Sequence, residues 1–294
     1  MLDVSDITLL KTVAEEGSIS KAAEKLNMSQ PTLSKKISRL EKVLKVELFH
    51  RQSTGMSPTA IASYLIDNGE QLRAKLDTLC RHVELLSNLE GGTLKIGVSP
   101  IVEQLLFPKV LMDFVEESNN VEISFKVDLP QKLPSLVLNG EIDIGIGPAL
   151  PQERSSELVI RKVQSAHIVF VVRAGHPLTE TKGTLPTHEL NDFPGIGPGM
   201  NKAMSEFLKE NDVHLPLNIT CDNYQIAKSV VLTSDYFTGG PRELFAKELI
   251  CGELVQLDIA EEIPWQSYCI TRQETEYAPA VKKFIQVLKQ YSDT

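Results

Sequence analysis

The sequence predicts an α+β protein of more than one domain, with short helices first, a long helix next and alternating strands and helices after that. The chain has 294 residues, about twice the ~150 residues of an average domain. Apolar residues recur at helical spacing up to about residue 90, and strand-length apolar runs alternate with helical stretches beyond it. These two patterns define the predicted elements.

The composition is that of an ordinary globular protein. Hydrophobic residues make up 42 % and charged residues 23 % of the chain, which excludes disordered and fibrous classes. No apolar run approaches the ~18–20 residues that span a bilayer, and the N-terminus lacks the features of a secretory signal. The cysteines show no metal-binding or disulfide spacing, namely Cys80, Cys221, Cys251 and Cys269. We therefore expect a cytoplasmic protein with no metal, no cofactor and no membrane partner.

The charge is concentrated in one segment. The chain carries a net charge of −9, yet the segment from Ser18 to Arg51 has eight basic and three acidic residues, a net of +5. The remainder therefore carries −14. A basic segment on an acidic body is typical of a polyanion-binding domain, although a chance cluster on solvated helix faces would give the same count.

Three short helices are predicted in this first part, over Ser5–Glu16, Lys21–Asn27 and Pro31 to about Lys45. In the third helix, Leu33, Ile37, Leu40 and Leu44 share one face, and the opposite face is polar and basic. Two helices joined by a tight turn, the second basic on its outer face, form a helix-turn-helix pattern. The following VELFHR segment and Gly55 predict a small wing, and a helical bundle that does not bind DNA is the alternative.

These residues resemble the N-terminal domain of LysR-type transcriptional regulators. The resemblance spans about thirty positions: Ala22-Ala23, Leu26, Ser29-Gln30-Pro31, Leu33-Ser34, Ile37, Leu40-Glu41, Leu44, Leu48-Phe49 and Arg51. Lys45 departs from the pattern, since the family usually has glycine there. The resemblance implies a winged helix-turn-helix domain over residues 1–58 that binds double-stranded promoter DNA at paired half-sites.

The predicted DNA-binding residues fall into two groups. The start of the third helix is expected to meet base edges in the major groove; its residues are Gln30, Pro31, Ser34 and Lys35. Other residues are expected to contact phosphates or to lie on the outward face, where contacts position the protein without specifying sequence; these are Ser18, Ser20, Thr32, Lys36 and Arg39. Arg51 either contacts a phosphate or pairs with Glu41.

A long linker helix is predicted over residues 59–90. Gly69 is the one glycine or proline between Pro58 and Leu89, and at ~1.5 Å per residue the helix reaches roughly 45 Å. Apolar residues repeat with a heptad period, which suits a partner helix. The predicted dimerisation residues are Leu65, Leu72, Leu76, Leu79, Val83 and Leu86. The alternative is a helix packed on its own C-terminal domain, while the resemblance implies a dimer and further a tetramer.

The remainder, residues 91–294, reads as an α/β domain. Strands at 94–99, 121–128 and 141–147, with a helix over Pro100–Glu117 between the first two, predict a parallel βαβαβ unit. A second set of elements begins at residues 167–178. The phrases GEIDIGI, from Gly140 to Ile146, and His176-Pro177-Leu178 resemble the effector-binding domain of the same family, which is similar to periplasmic binding proteins. The resemblance implies two lobes, lobe I at about 91–162 and 268–294 and lobe II at about 163–267.

A ligand site is expected between these lobes, beyond the carboxyl ends of the strands. Two facing helix N-termini, one after Ser99 and one at Gly199-Met200-Asn201, would favour a small organic anion. The predicted effector-binding residues are Ser99, Pro100, Ile101, Asp128, Gln131, Gly147, Pro148, Gly199 and Asn201. Taken singly, Ser99 is equally well explained as a helix cap and Gly199 as a turn.

No catalytic motif emerges from the sequence. GIGPGM lacks dinucleotide-loop spacing, GVSPI lacks the second glycine of a nucleophile elbow, and no cysteine lies between Pro194 and Leu215 where the resemblance would place a peroxide-sensing pair. We therefore expect a non-enzymatic transcription regulator controlled by a small effector, with RNA polymerase as a further candidate partner. The alternative is a small-molecule binding protein or enzyme with an incidental basic helical domain.

Overall fold

The structure is a computed structural model that describes residues 2–52, 55–87, 92–118, 121–148, 156–181, 183–199, 202–210 and 214–292. It divides into two compact units, Met1–Cys80 and Arg81–Thr294. Each unit has its own hydrophobic core. The predicted α+β multidomain fold class is confirmed.

The first unit contains helices and a two-stranded wing. The helices are α1 (Val4–Glu16), α2 (Ile19–Lys25), α3 (Gln30–Leu44) and the beginning of α4 (Ala60–Ser87). The wing pairs β1 (Phe49–Gln52) with β2 (Gly55–Pro58) in antiparallel register. The predicted start and end of α2 were each two residues late, because Ser18 rather than Ser20 precedes the first helical turn.

Local chemistry sets the ends of these helices. Asp3 and Asp6 form a capping box at the start of α1, and Gly17 ends that helix with a left-handed backbone. The Ser29 hydroxyl accepts a hydrogen bond from the Thr32 amide and begins α3. Lys45 ends α3 with φ at +58°, so the turn keeps the left-handed conformation that glycine would favour.

The N-terminal part of α4 belongs to the core of this unit. Ala62 is fully buried there, and Leu65 packs against the same cluster. A Cβ on Gly69 would lie 2.5 Å from Ile7 Cγ2, so α4 contacts α1 closely at this glycine. Leu65, predicted as a dimerisation residue because no intramolecular partner is visible in the sequence, therefore has such a partner in the core of the first unit. The same heptad pattern covers Leu65, which packs against the core, and Leu72, which is exposed. Periodicity alone therefore does not distinguish a buried part of the helix from an exposed one.

The second unit is built around a mixed sheet. In the described part of the chain it has seven strands in the order β10-β6-β11-β5-β3-β4, with β9 beside β6. The strands are β3 (Thr93–Val98), β4 (Glu122–Val127), β5 (Ile144–Gly147), β6 (Leu158–Arg173), β9 (Thr238–Pro241), β10 (Leu254–Gln256) and β11 (Ile263–Arg272). A separate parallel pair joins β7 (Gly195–Gly197) and β8 (Leu217–Thr220).

The predicted βαβαβ unit is confirmed, because β3 pairs in parallel with both β4 and β5. The helices that pack beside the strands are α5 (Pro100–Leu105), α6 (Phe107–Glu117), α7 (Leu133–Leu138), α8 (Lys202–Glu210), α9 (Tyr224–Thr233), α10 (Ala246–Ile250) and α11 (Pro279–Lys289). The single helix predicted over Pro100–Glu117 is divided at Leu106, since Pro108 begins a new helical turn.

Both lobes share the strands β6 and β11. These strands pair in antiparallel register from Ile263 opposite Ile168 to Arg272 opposite Leu158, with an irregularity between Ser267 and Tyr268. The sequence predicts that a second set of elements begins at residues 167–178. In the structure this segment continues a strand that begins at Leu158 and is 16 residues long, so the main sheet extends across both lobes.

His176 stabilises the turn after β6 in its neutral form. Its Nδ1 accepts a hydrogen bond from the Leu178 amide at 3.1 Å, and its Nε2 lies 3.2 Å from the Asp235 carbonyl oxygen. The ring also contacts Phe193, with 4.6 Å between centroids and an angle of 55° between the ring planes. Burial lowers the pKa of His176 from its ordinary value of 6.5, so the folded protein resists protonation at this site.

We expect Gly69→Ala to destabilise the first unit, because the added methyl group meets the buried, β-branched side chain of Ile7. In an open helix the same change would stabilise by about 1 kcal/mol. Hydrogen exchange of the α1 amides in the full-length chain measures the effect. Gly69→Ala in an Ile7→Ala background is the control, and a destabilisation of equal size in that background would contradict the close contact.

We expect the free energy of unfolding of the second unit to fall as the pH drops below about 6.5, because the unfolded chain protonates His176 before the folded one does. Urea unfolding followed by the fluorescence of Trp265, the single tryptophan, measures this dependence. His176→Asn keeps an acceptor for the Leu178 amide and should reduce the slope. His167→Asn, at an exposed histidine, should leave the slope unchanged; equal slopes in all three proteins would contradict the assignment.

Candidate functional site

The outer face of the helix-turn-helix presents the start of α3. Gln30, Pro31, Thr32 and Lys35 are exposed, while Ser34 and Lys36 are half-buried. The Thr32 hydroxyl lies 2.7 Å from the Ser29 hydroxyl, so the cap also fixes the Thr32 side chain. In α2, Ser18 is half-buried at the N-cap and Ser20 is exposed. The structure therefore brings the predicted α3 residues together on one accessible surface.

Two arginines, Arg39 and Arg51, were also predicted to contact DNA. Arg39 Nη2 lies 3.6 Å from Oδ1 of the buried Asp6, although more than half of the arginine side chain is exposed. The Arg51 side chain lies outside the described residues. Glu41 Oε1 accepts a hydrogen bond from the Leu48 amide at 3.0 Å, so this carboxylate already serves the connection between α3 and the wing.

A strip of apolar side chains lies exposed on the central part of α4. Leu72, Leu76, Leu79 and Val83, here called the α4 stripe, are 41–59 % exposed. The side chain of Leu86, the last predicted seam residue, lies outside the described residues. Exposed leucines at heptad spacing favour a second helix as partner.

A cleft of about 350 Å³ lies between the two lobes of the second unit. Six of the predicted residues line it: Ser99, Pro100, Ile101, Gln131, Pro148 and Gly199. Gly147 lies directly beneath Ser99, where a Cβ would approach Ser99 Cβ to 3.2 Å. Asn201 lies outside the described residues.

Asp128 is not among the cleft-lining residues. Its carboxylate lies 3.5 Å from Lys132 Nζ and 3.7 Å from Lys126 Nζ. Burial raises the pKa of Asp128, but the Leu129 amide and these two lysines outweigh burial and lower it. Asp128 is thus a partnered residue beside the cleft, and the neighbouring residues of the same segment that line the wall are Leu129, Pro130 and Gln131.

Most of the cleft wall is apolar and was not predicted from sequence. Phe170, Tyr224, Phe237 and Trp265 are its aromatic residues. Ile168 and Phe170 alternate along β6 and so share one face of the sheet. Alternation in the sequence around residues 167–172 signals that face, but which element covers it depends on the tertiary structure.

At two helix N-termini beside the cleft, the cap residue accepts hydrogen bonds from the first amides of its own helix. The Ser99 hydroxyl accepts from the Val102 amide at 3.4 Å, and the Ser99 carbonyl oxygen accepts from the Glu103 amide. At the start of α9, Asn223 Oδ1 accepts from the Gln225 amide at 3.0 Å and the Ile226 amide at 3.3 Å. Ser99 therefore acts as the cap that the sequence analysis kept as an alternative role.

A buried charge cluster links the last turns of α4 to lobe I. Arg81 Nη1 lies 2.5 Å from Oδ2 of the fully buried Asp143, and the Lys95 amide donates to the same oxygen at 2.9 Å. His82 Nε2 lies 3.3 Å from Asp143 Oδ1 and 2.7 Å from Arg272 Nη2. Burial raises the pKa of Asp143, but the neighbouring His82 and Arg81 side chains outweigh burial and lower the pKa.

Sequence reasoning missed this cluster. Asp143 lies within the GEIDIGI phrase, but the charged and imidazole side chains around it, Arg81, His82 and Arg272, are more than sixty residues away along the chain. Arg272 is almost fully buried, and its Nη1 donates to the Val137 carbonyl oxygen at 2.5 Å. These contacts hold the helix end against the sheet, and none of these side chains is among the described residues that line the cleft, which indicates a structural role.

Other reactive side chains are dispersed. Cys269 is buried, and burial raises the pKa of its thiol to about 12; Cys80 and Cys251 are exposed and Cys221 is half-buried.

Within the described ranges, no group of three His, Cys, Asp or Glu side chains could hold a metal ion. None of the helices in the described part of the chain combines the length and apolar character needed to cross a bilayer.

The two units together define a class of protein: a winged helix-turn-helix joined by a long helix to a two-lobed ligand-binding domain. The pattern "Bacterial regulatory helix-turn-helix protein, lysR family" matches residues 4–63, and "LysR substrate binding domain" matches residues 87–293. The chain belongs to the LysR family of bacterial transcriptional regulators.

Similar proteins agree with this membership. The SDS degradation transcriptional activation protein of Pseudomonas sp. is 27 % identical over 262 residues, or 88 % of this chain and 86 % of that protein. A probable RuBisCO transcriptional regulator of Cyanophora paradoxa is 32 % identical over 178 residues, or 60 % of this chain and 55 % of that protein. The match therefore spans about half the length of that second relative.

Solved structures show the same fold at low sequence identity. Full-length CbnR, in a complex with its target DNA, has a TM-score of 0.70 at 15 % identity, covering 99 % of this chain and all of that one. Full-length BenM has a TM-score of 0.57 at 19 % identity, covering 98 % and 96 % of the two chains. The predicted architecture is thus shared along nearly the whole chain.

Proposed function

We propose that the protein is a dimeric regulator that binds promoter DNA through α3 and responds to a small organic effector held between the lobes. The observation that carries this proposal is the exposed start of α3, where Gln30, Pro31, Thr32 and Lys35 extend beyond a well-capped first turn. A helix presented in this way enters a DNA major groove with its N-terminal residues toward the base edges.

The second part of the proposal concerns assembly. DNA half-sites about one helical turn apart require two copies of the reading helix, and the α4 stripe supplies an apolar surface for pairing two copies. A tetramer is the further assembly we propose from family membership. RNA polymerase is proposed as a partner on the same basis.

The third part concerns control. The cleft volume of about 350 Å³ suits a small organic molecule. A ligand that binds one arrangement of the lobes more tightly than another would shift the population of DNA-binding states. Only this difference in the ligand's affinity for the two arrangements can regulate DNA binding. Gel-shift assays with DNA upstream of the protein's own gene or a neighbouring gene test the whole proposal, because an enzyme or a transport protein would give no specific shift.

We expect Gln30→Ala and Lys36→Ala to weaken DNA binding in different ways. A base-edge contact is worth ~1–3 kcal/mol, so Gln30→Ala should weaken the specific site while leaving random DNA unaffected. Lys36→Ala should weaken both and reduce the slope of log affinity against log salt by about one unit. Fluorescence anisotropy at several salt concentrations measures both effects. Lys247→Ala, an exposed lysine of the second unit, is the matched control, and equal losses in all three variants would contradict the assignment.

We expect Leu72→Asp to dissociate the dimer, because it places a charge in the apolar α4 stripe. Ala74→Asp adds the same charge to an exposed position of the same helix and lies off the heptad seam, so it should leave the dimer intact. Sedimentation velocity of the full-length proteins measures the mass. An unchanged mass for Leu72→Asp, or equal dissociation of both variants, would show that pairing occurs elsewhere.

A further inference from the structure

Asp222 is the charged residue of the cleft wall. Among the described residues that line the cleft there is no lysine, arginine or histidine, and Asp222 alone carries a charge. Its carboxylate makes no hydrogen bond or ion pair with any residue in the described ranges, whereas Asp128, just outside the cleft, lies near two lysines. Within the described residues, the cleft therefore contains a negative charge without a counter-ion.

Aromatic side chains surround the same space. Phe170, Tyr224, Phe237 and Trp265 line the cleft with Asp222, and Tyr224 follows Asp222 by two residues at the start of α9. Burial, and then the charge of Asp222, raises the pKa of Tyr224, so the phenol stays neutral. Aromatic faces attract organic cations through the negative potential of the ring.

Helix caps occupy several amide donors beside the cleft. The Val102 amide donates to the Ser99 hydroxyl, and the Gln225 and Ile226 amides at the start of α9 donate to Asn223. Pro100, at the first position of α5, has no amide hydrogen. An anion would therefore share an apolar cleft with the Asp222 carboxylate, which is unfavourable.

We propose that the effector is an organic cation, an amine or ammonium group on an apolar body, and that Asp222 is its specificity-determining counter-ion. The inference rests on the proposed effector role of the cleft and replaces the anion expected from the two helix N-termini. A protonated amine would pair with the Asp222 carboxylate through a charge-assisted hydrogen bond, while its apolar body would pack against the aromatic wall.

Three probes of matched shape test the charge preference in the full-length protein. Benzylamine, benzyl alcohol and benzoate differ in charge at nearly constant bulk, and benzyltrimethylammonium keeps the positive charge without an N–H donor. Isothermal titration and thermal shift should rank the two cations above the alcohol and the alcohol above benzoate. Equal or tighter binding of benzoate, or no response to either cation at the highest concentration, would overturn the proposal.

Variants of Asp222 assign the effect to this residue. Asp222→Asn keeps the shape of the side chain and should weaken benzylamine about tenfold or more, the size of one lost charge-assisted hydrogen bond, with little change for benzyl alcohol. Asp222→Glu should retain the preference for cations. Asp192→Asn, an exposed carboxylate of the same lobe, is the matched control; an amine affinity unaffected by Asp222→Asn would overturn the proposal.

A DNA measurement separates this inference from the proposed function. Selective binding of cations that depends on Asp222 supports the proposed ligand class. If the affinity for operator DNA does not change when the cation binds, the proposed regulatory role of the cleft is wrong, although the ligand class still holds. Specific DNA binding that responds to benzoate and ignores the cations supports the regulatory role and overturns the ligand class.

Discussion

The ligand-binding unit depends on the antiparallel pairing of β6 with β11. These two strands extend through both lobes. Each of them therefore contributes one segment to lobe I and another segment to lobe II. The cleft forms over this shared ribbon, and Ile168, Phe170 and Trp265 contribute to its wall from the two strands. Because backbone hydrogen bonds fix the register, the positions of these wall residues relative to one another are set by the sheet.

A second constraint is the burial of Asp143. A carboxylate without water requires compensating donors, and Arg81, His82, Arg272 and the Lys95 amide supply them. The helix end, the βαβ unit and the strand β11 therefore meet around one charge. The cluster acts as a specific attachment of the last turns of α4 to lobe I, whereas the side chains of the apolar α4 stripe are exposed.

The described wall of the cleft is mostly aromatic and aliphatic, with a few polar groups. Helix caps at Ser99 and Asn223 accept hydrogen bonds from amides at the helix starts beside it. Asp222 is the one charged residue among the described residues of this wall. A single unpaired charge in apolar surroundings is the electrostatic feature on which the proposed ligand preference rests.

The sequence by itself determined the features that depend on near neighbours. Apolar spacing and cap residues defined α1, α3 and the βαβαβ unit, and the basic start of α3 identified the DNA-reading surface that family membership supports. Only the tertiary structure decided the features that join distant segments. Leu65 and Leu72 share one heptad pattern, yet one is packed and the other exposed, because burial depends on which element lies opposite. Arg272 likewise meets His82 and Asp143 only through the fold. Asp222 is brought to the cleft wall in the same way, and no local pattern encodes those encounters.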